Sequence, residues 1–435
     1  MFLPTSTTSS SNTLYVIFLM SMCLLPFSTE GGTNSGSVVI TFALPFLVLL
    51  SIFIGYNFIN PTGKISYPNE LKFSILCGFL HVFSILLSSL MNQDLRVAFA
   101  RSIFHLFGFI IFLYITSNCS PSKNAALAYD KISMIFILSG FIMSIYFIGN
   151  FLLAIQQNSL EQVLLERAKG GLLGLPWGVS NIIAACLMMP LFSALDRVLN
   201  TNKSKEANIV FTLFTIMVMI IAIIITQSRN VIISSMIGII LIGGLTKSKK
   251  LIFLLLVAIS TILFIVISLY GQELDVIFAA RIGDGAADIE GFNGRSSVWE
   301  IAILYFSQHP LQPVGYFGMI GEIGHTAHNI FLTTLIDQGI LGLFTYLLFL
   351  IGNFSFCLKK MFNPYLLIAT KRRMAFYVIA MLSILLQLQF EDSNFAVQNI
   401  IYQWTFLALM YLSAYCDFHY ADPFMSQYAL PPARE

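Results

Sequence analysis

The stretch "HNIFLTTLIDQGILGLFTYLLFLIGNFSFC", His328 to Cys357, decides the class of this chain. Its second part, from about 337 to 357, is an apolar run of the roughly 20 residues that a membrane helix needs. Its first two residues, His328 and Asn329, are polar, and His325 stands three positions earlier. A histidine pair at the mouth of a membrane helix asks for an explanation. Composition supports the membrane reading: 57% of the 435 residues are hydrophobic and 10% are charged, against about 25% charged in soluble domains. The mean hydropathy is +0.83.

Working outward, comparable runs lie near 13–29, 37–59, 71–91, 95–117, 132–156, 176–199, 207–227, 230–246, 250–271, 374–390 and 397–416. With the run at 337–357 they predict an all-α integral membrane protein of about twelve transmembrane helices. The run at 176–199 is the weakest, because Pro176, Asn181, Pro190 and Asp196 interrupt it. The first run lacks a basic leader and a small-residue cleavage site, so it reads as a span that stays. The six cysteines form no CxxC pair and read as small buried hydrophobes.

Cations orient the spans. With a cytoplasmic N-terminus, fourteen of the 23 Lys and Arg residues fall in inner loops, and Arg197 and Arg434 join them. Seven stay outside: Arg96, Arg101, Arg167, Lys169, Arg229, Arg281 and Arg295. The positive-inside rule selects this orientation, with both termini in the cytoplasm. Three regions follow: a bundle over 1–271, a large folded periplasmic loop over 272–336, and C-terminal helices with a tail over 337–435. The scattered charge gives no nucleic-acid surface.

The inner cations are mostly Lys and the outer ones mostly Arg. Arg grips phosphate or carboxylate in bidentate fashion, so the outer set suggests an anionic ligand. The alternative is ordinary pairing with Glu161, Glu166, Asp284 or Glu322. Arg229 lies in "TQSRNVI" at an outward turn, and Arg281 and Arg295 lie in the long loop. From Arg295 a short helix to Gln308 is expected to lie at the interface, with Val298, Ile301, Ala302, Tyr305 and Phe306 on its apolar side. His309-Pro310 stops it. His328 closes the loop and can act as base or acid near neutral pH. Asn329 is placed to cap a helix starting at Ile330. Glu322, His325 and His328 do not share a helix face, so no metal site is expected. No Walker loop or Rossmann fingerprint is present. These parts suit transfer from a lipid-linked diphosphate to a hydroxyl at the membrane surface, without a cofactor.

The same residues resemble the bacterial O-antigen ligase and O-antigen polymerase superfamily. His328-Asn329, nine residues, then Gly339-Ile-Leu-Gly342 is similar to the ligase pattern of His-Asn, nine residues and Gly-x-x-Gly. "GRSSVWEIAILYF", followed by "HPLQPVGYFG", resembles the family's Gly-Arg, Trp, Pro and Gly-x-Gly series, with Gly315 to Gly318 one residue wider. "SRN" at 228–230 resembles its Ser-Arg element. "GLLGLPWGVS" is similar to its Gly-x-x-Pro-Asn run, with Trp177 where Asn is usual. Together these elements cover about 165–345.

The resemblance implies a GT-C-like membrane fold and a metal-independent, inverting transfer from an undecaprenyl-diphosphate-linked glycan. The family's essential residues carry over onto Arg229, Arg295 and His328. Arg167, Arg281, His325 and Asn329 are substrate-binding candidates by location alone. The acceptor is either the next lipid-linked repeat (a polymerase) or the lipid A core (a ligase), in the bacterial inner membrane. A chain-length regulator is compatible with the first. Only 32 residues separate Arg295 from His328. That leaves little loop for docking a lipopolysaccharide core and leans the reading toward polymerase. A protein O-oligosaccharide ligase and a transporter of lipid-linked sugars are the alternatives. Transport calls for mid-span charges and internal repeats, and neither stands out.

Overall fold

The computed structural model describes residues 7–30, 39–40, 42–59, 67–119, 125–158, 162–163, 180–200, 206–246, 295–308, 310, 313–320, 326–390 and 396–416. Helices dominate them: α1 (Thr7–Leu24), α2 (Leu44–Ile59), α3 (Asn69–Ser89), α4 (Leu95–Thr116), α5 (Ala125–Gln157) and α6 (Ser180–Asn200). Then follow α7 (Glu206–Thr226), α8 (Arg229–Thr246), α9 (Arg295–Gln308), α10 (Ile330–Phe362), α11 (Ile368–Leu388) and α12 (Val397–Ser413). A two-residue strand pair, Thr29–Glu30 with Val39–Ile40, is the one sheet among the described residues.

Eleven of the twelve expected runs contain one of these helices; the run at 250–271 lies outside the described residues. Among the described residues six helices are long and apolar enough to cross a membrane: α3 to α7 and α10. Shorter apolar helices lie in α1, α2 and α8. The chain is a multi-pass membrane protein by this measure.

α12 stands at the centre. Every residue from Val397 to Ser413 except Gln403 is buried, the pattern of a helix enclosed on all sides. It packs along α4, where Gly108 admits the Trp404 indole. A Cβ at position 108 would sit 2.2 Å from Trp404 Cδ1. Phe109, Phe112 and Phe349 surround the same indole at centroid distances of 5.4, 5.7 and 5.1 Å. Small residues that let helices approach closely, and the packing this permits, hold such bundles together in lipid. α3 shows the two-faced arrangement of a peripheral helix. Phe73, Leu76, Phe79, Phe83 and Leu87 are exposed along one stripe, while Ser74, Cys77, His81 and Ser88 face inward against α10.

The run that reads as weakest forms the most enclosed span. α6 continues through Pro190, and every residue from Ile182 to Arg197 is buried. Gly140 on α5 makes room for the ring, since a Cβ there would lie 2.6 Å from Pro190 Cβ. Asp196 is fully buried, receives hydrogen bonds from Tyr129 and Tyr377, and pairs with Arg373 Nε at 3.4 Å. Beside it Arg197 pairs with Asp130 at 2.7 Å and donates to Ser133 at 3.0 Å. Lys360, near the end of α10, pairs with Glu70 at the start of α3. The six cysteines are free thiols, five of them buried.

Candidate active site

α10 joins two helical pieces. Asn329 caps the first: its Oδ1 accepts from the backbone N–H of Phe331 at 3.0 Å and Leu332 at 3.1 Å. Such a cap satisfies donors that the first helical turn leaves open. The helix expected from Ile330 therefore forms, and the apolar run at 337–357 is its continuation. Nine residues later Gly339 breaks it, with φ 69° and ψ −171°, a region that glycine alone adopts readily. Gly342 completes the bend, because a Cβ there would fall 2.0 Å from Gln338 Cβ. The His-Asn, nine residues, Gly-x-x-Gly spacing is thus a capped two-and-a-half-turn helix followed by a kink.

His328 sits immediately before the cap at φ 49°, in the left-handed region. This conformation is uncommon outside glycine, and residues held in it tend to lie at functional sites. Three side chains fix the turn around His328. Trp299 Nε1 of α9 donates to Ala327 O at 2.7 Å. Asn329 Nδ2 donates to Gln389 Oε1 at 3.2 Å, at the end of α11. A small apolar cluster of Ala302, Met319, Ala327 and Ile336 lies beneath, with Val298, Tyr305, Val314 and Leu332 against it.

That cluster corrects the expected face of α9. Val298, Ala302 and Tyr305 turn inward, but Ile301 is 48% exposed, together with Ile303 and Leu304. The helix is apolar on more than one side, so one face packs on the loop and the other is left facing outward.

Arg229 opens α8 and is exposed. Gln227, at φ 51°, reverses the chain before it, and the Ser228 N–H donates to Thr226 Oγ1 at 3.3 Å. Asn230 Nδ2 then donates to Phe390 O at 3.2 Å. The Ser-Arg-Asn turn and the His-Asn turn therefore clasp neighbouring residues, 389 and 390, at the end of α11. That brings Arg229 and His328 to one corner of the bundle. Arg295 is the first residue of α9, four positions before the Trp299 that holds the His328 turn. Its side chain, and all of Arg167, Arg281, His325 and Glu322, lie outside the described residues.

The sequence reading missed the supports. Gln389 and Phe390 lie just before the polar stretch Glu391 to Asn394, and nothing in their types marks them. The turn that Pro313-Val-Gly315 predicts forms, and the contacts that hold it are a second omission. Gly315, at φ 93°, lies so close to Asn92 that a Cβ would meet its backbone N at 2.3 Å. Asn92 Nδ2 donates to Tyr316 O at 2.8 Å. Asp337 of α10 accepts from the N–H of Phe317 at 3.0 Å and of Met319 at 2.9 Å. The buried Arg101 guanidinium stacks 3.9 Å from the Phe317 ring centroid, and His105 Nε2 lies 2.9 Å from Tyr316 Oη. Histidine and arginine inside membrane helices are the signal that could have pointed here. Among the described residues no three His, Cys, Asp or Glu side chains come together as metal ligands.

Comparison with known proteins bears on the same region. Residues 214–347 match the family model of O-antigen ligases. The match takes in the Ser-Arg-Asn turn, α9, the 313–319 turn, His328-Asn329 and the Gly339 kink, and leaves out the run around Trp177. No curated protein matches the chain. Over residues 214–347, a stretch of 134 of the 435 residues, the chain is similar to the O-antigen ligases.

Proposed function

We propose that this protein is a membrane glycosyltransferase that moves a glycan from undecaprenyl diphosphate to a sugar hydroxyl at the outer membrane face, as a surface-polysaccharide polymerase. One observation carries the reading. The turns bearing Arg229 and His328 close on adjacent residues of one helix end, and the helix begun by Arg295 is tied to the His328 turn.

In this reading Arg229 and Arg295 hold the diphosphate and stabilise its charge as the bond between the anomeric carbon and the phosphate oxygen breaks. The bonding pair leaves with undecaprenyl diphosphate. The acceptor oxygen attacks the opposite face of the anomeric carbon, which inverts it, and His328 takes the hydroxyl proton. The left-handed backbone at His328, fixed from both sides, keeps the imidazole oriented. No metal is needed, because the two guanidiniums supply the positive charge. Arg167, Arg281, His325 and Asn329 are assigned to the substrate's surroundings. The orientation that goes with this puts both termini in the cytoplasm and the site in the periplasm. A ligase that attaches the glycan to the lipid A core is the second reading, favoured by the family's own description.

The test is complementation of a gene deletion with wild type, His328→Ala, Arg229→Ala and Arg295→Ala, with surface glycans resolved on a gel. Single-repeat caps in the deletion that the variants fail to extend mean polymerase. Uncapped core with polymer stranded on the lipid carrier means ligase. Normal glycans in all three variants overturn the enzyme reading.

A further inference from the structure

Below the His-Asn turn, α3, α4 and α10 enclose a cavity of about 30 Å³ with the 313–320 turn as its roof. A buried water needs about 10–15 Å³ on this measure, so the space takes one or two small polar groups. Thr326 and Ile330, on either side of His328-Asn329, form part of the wall. Besides Ile85 and Tyr346, the remaining wall carries six polar residues: His81, His105, Thr333, Thr334, Asp337 and Gln338. His81, Thr333 and Gln338 are 6%, 9% and 8% exposed. His81 Nδ1, Thr333 Oγ1 and Gln338 Oε1 have no hydrogen-bond partner among the described residues. Buried polar atoms are nearly always paired, with protein or with something else.

The lining defines what that something is. Asp337 is among the lining residues, which disfavours phosphate or any other anion. Its oxygens already accept from the Phe317 and Met319 N–H groups, and no cluster of metal-ligating side chains adjoins it among the described residues. Gln338 Oε1 needs a donor. Thr333 Oγ1 both donates and accepts, and His81 Nδ1 does one or the other according to its tautomer. A neutral hydroxyl meets all three demands.

We infer that this cavity is a binding site for a neutral hydroxyl group held by His81, Thr333 and Gln338 directly beneath the His-Asn turn. Two sources carry that chemistry: a resident water, or a hydroxyl of the acceptor sugar. The second rests on the function proposed above; the first does not.

The experiment is electron cryomicroscopy of the full chain in lipid nanodiscs, at a resolution that shows waters, with and without methyl β-glucoside. A non-protein peak within hydrogen-bond distance of His81 Nδ1, Thr333 Oγ1 or Gln338 Oε1 is expected. A peak in the sugar-free map identifies water. A peak that appears only with the glucoside and continues into ring density identifies a sugar hydroxyl. The Thr333→Val map should lose the contact at position 333. An empty cavity in both wild-type maps, with the three side chains turned to pair with one another, overturns the inference. The maps are read without any transfer assay, so a failed glycosyltransferase reading would leave the water arm intact.

Discussion

The two ends of the bundle handle polar groups in opposite ways. At one end Arg197 meets Asp130, Arg373 meets Asp196 with Tyr129 and Tyr377, and Lys360 meets Glu70. Each of these charges has a partner, and the backbone around them is ordinary helix. At the other end three non-glycine residues, Gln227, Phe317 and His328, take positive φ. Arg229 is exposed, and a cavity lined in part by polar side chains lies under the turn. The first end closes on itself and contributes to stability. The second keeps strained backbone and open polar groups, which proteins maintain where ligands bind.

Substitutions at each end should separate the two roles. His328→Ala should give the largest effect, a loss of transfer on the order of 100-fold or more, in line with removing a general base. Its thermal unfolding in detergent should stay near that of wild type, and a large drop in melting temperature instead would place His328 with the structural end. Asp196→Ala should do the reverse. It strands a buried Arg373 and two tyrosine hydroxyls, and breaking a buried pair costs about 3–5 kcal/mol. The expected readout is a clear fall in melting temperature with transfer per folded molecule unchanged.

Gly339→Ala sharpens the contrast within α10. The backbone there is one that only glycine adopts without strain, worth about 1–3 kcal/mol. Transfer should fall more than stability, because the kink sets where the His-Asn turn points. Trp299→Phe should be milder, removing one hydrogen bond of about 1 kcal/mol while leaving a smaller aromatic ring in place. Asn329→Ala should be comparable, with the cap worth about 1 kcal/mol. Asn329→Asp, which retains the capping oxygen, should recover the stability but lose the donation to Gln389. Recovery measured by thermal unfolding together with a persistent activity defect would assign that contact to the site.

Some of this was legible in the sequence and some was not, for physical reasons. The cap at Asn329 follows from a local rule linking Asn to a helix start. The nine-residue spacing is visible as a pattern, but the kink behind it depends on a backbone angle that no composition reveals. The face of α9 was misjudged at Ile301 because Ile301, Ile303 and Leu304 make the helix apolar on its outer side too, and periodicity cannot then choose a side. His81 and His105 carry no local pattern at all. They meet only when α3 and α4 lie side by side, with ring centroids 6.3 Å apart. The pairing of Asp196 with Arg373 spans most of the C-terminal half of the chain and is likewise a product of packing.

The nine residues between Asn329 and Gly339 also act as a ruler. One extra residue in Ile330–Gln338 would advance the cap by about 1.5 Å and swing it by about 100° around the helix axis. The histidine would leave the corner that it shares with Arg229, although every side chain of the site was still present. Length in this segment is therefore as strict a requirement as residue identity. A natural or designed chain of this kind must keep the number of residues between its cap and its kink as well as Thr333, Asp337 and Gln338.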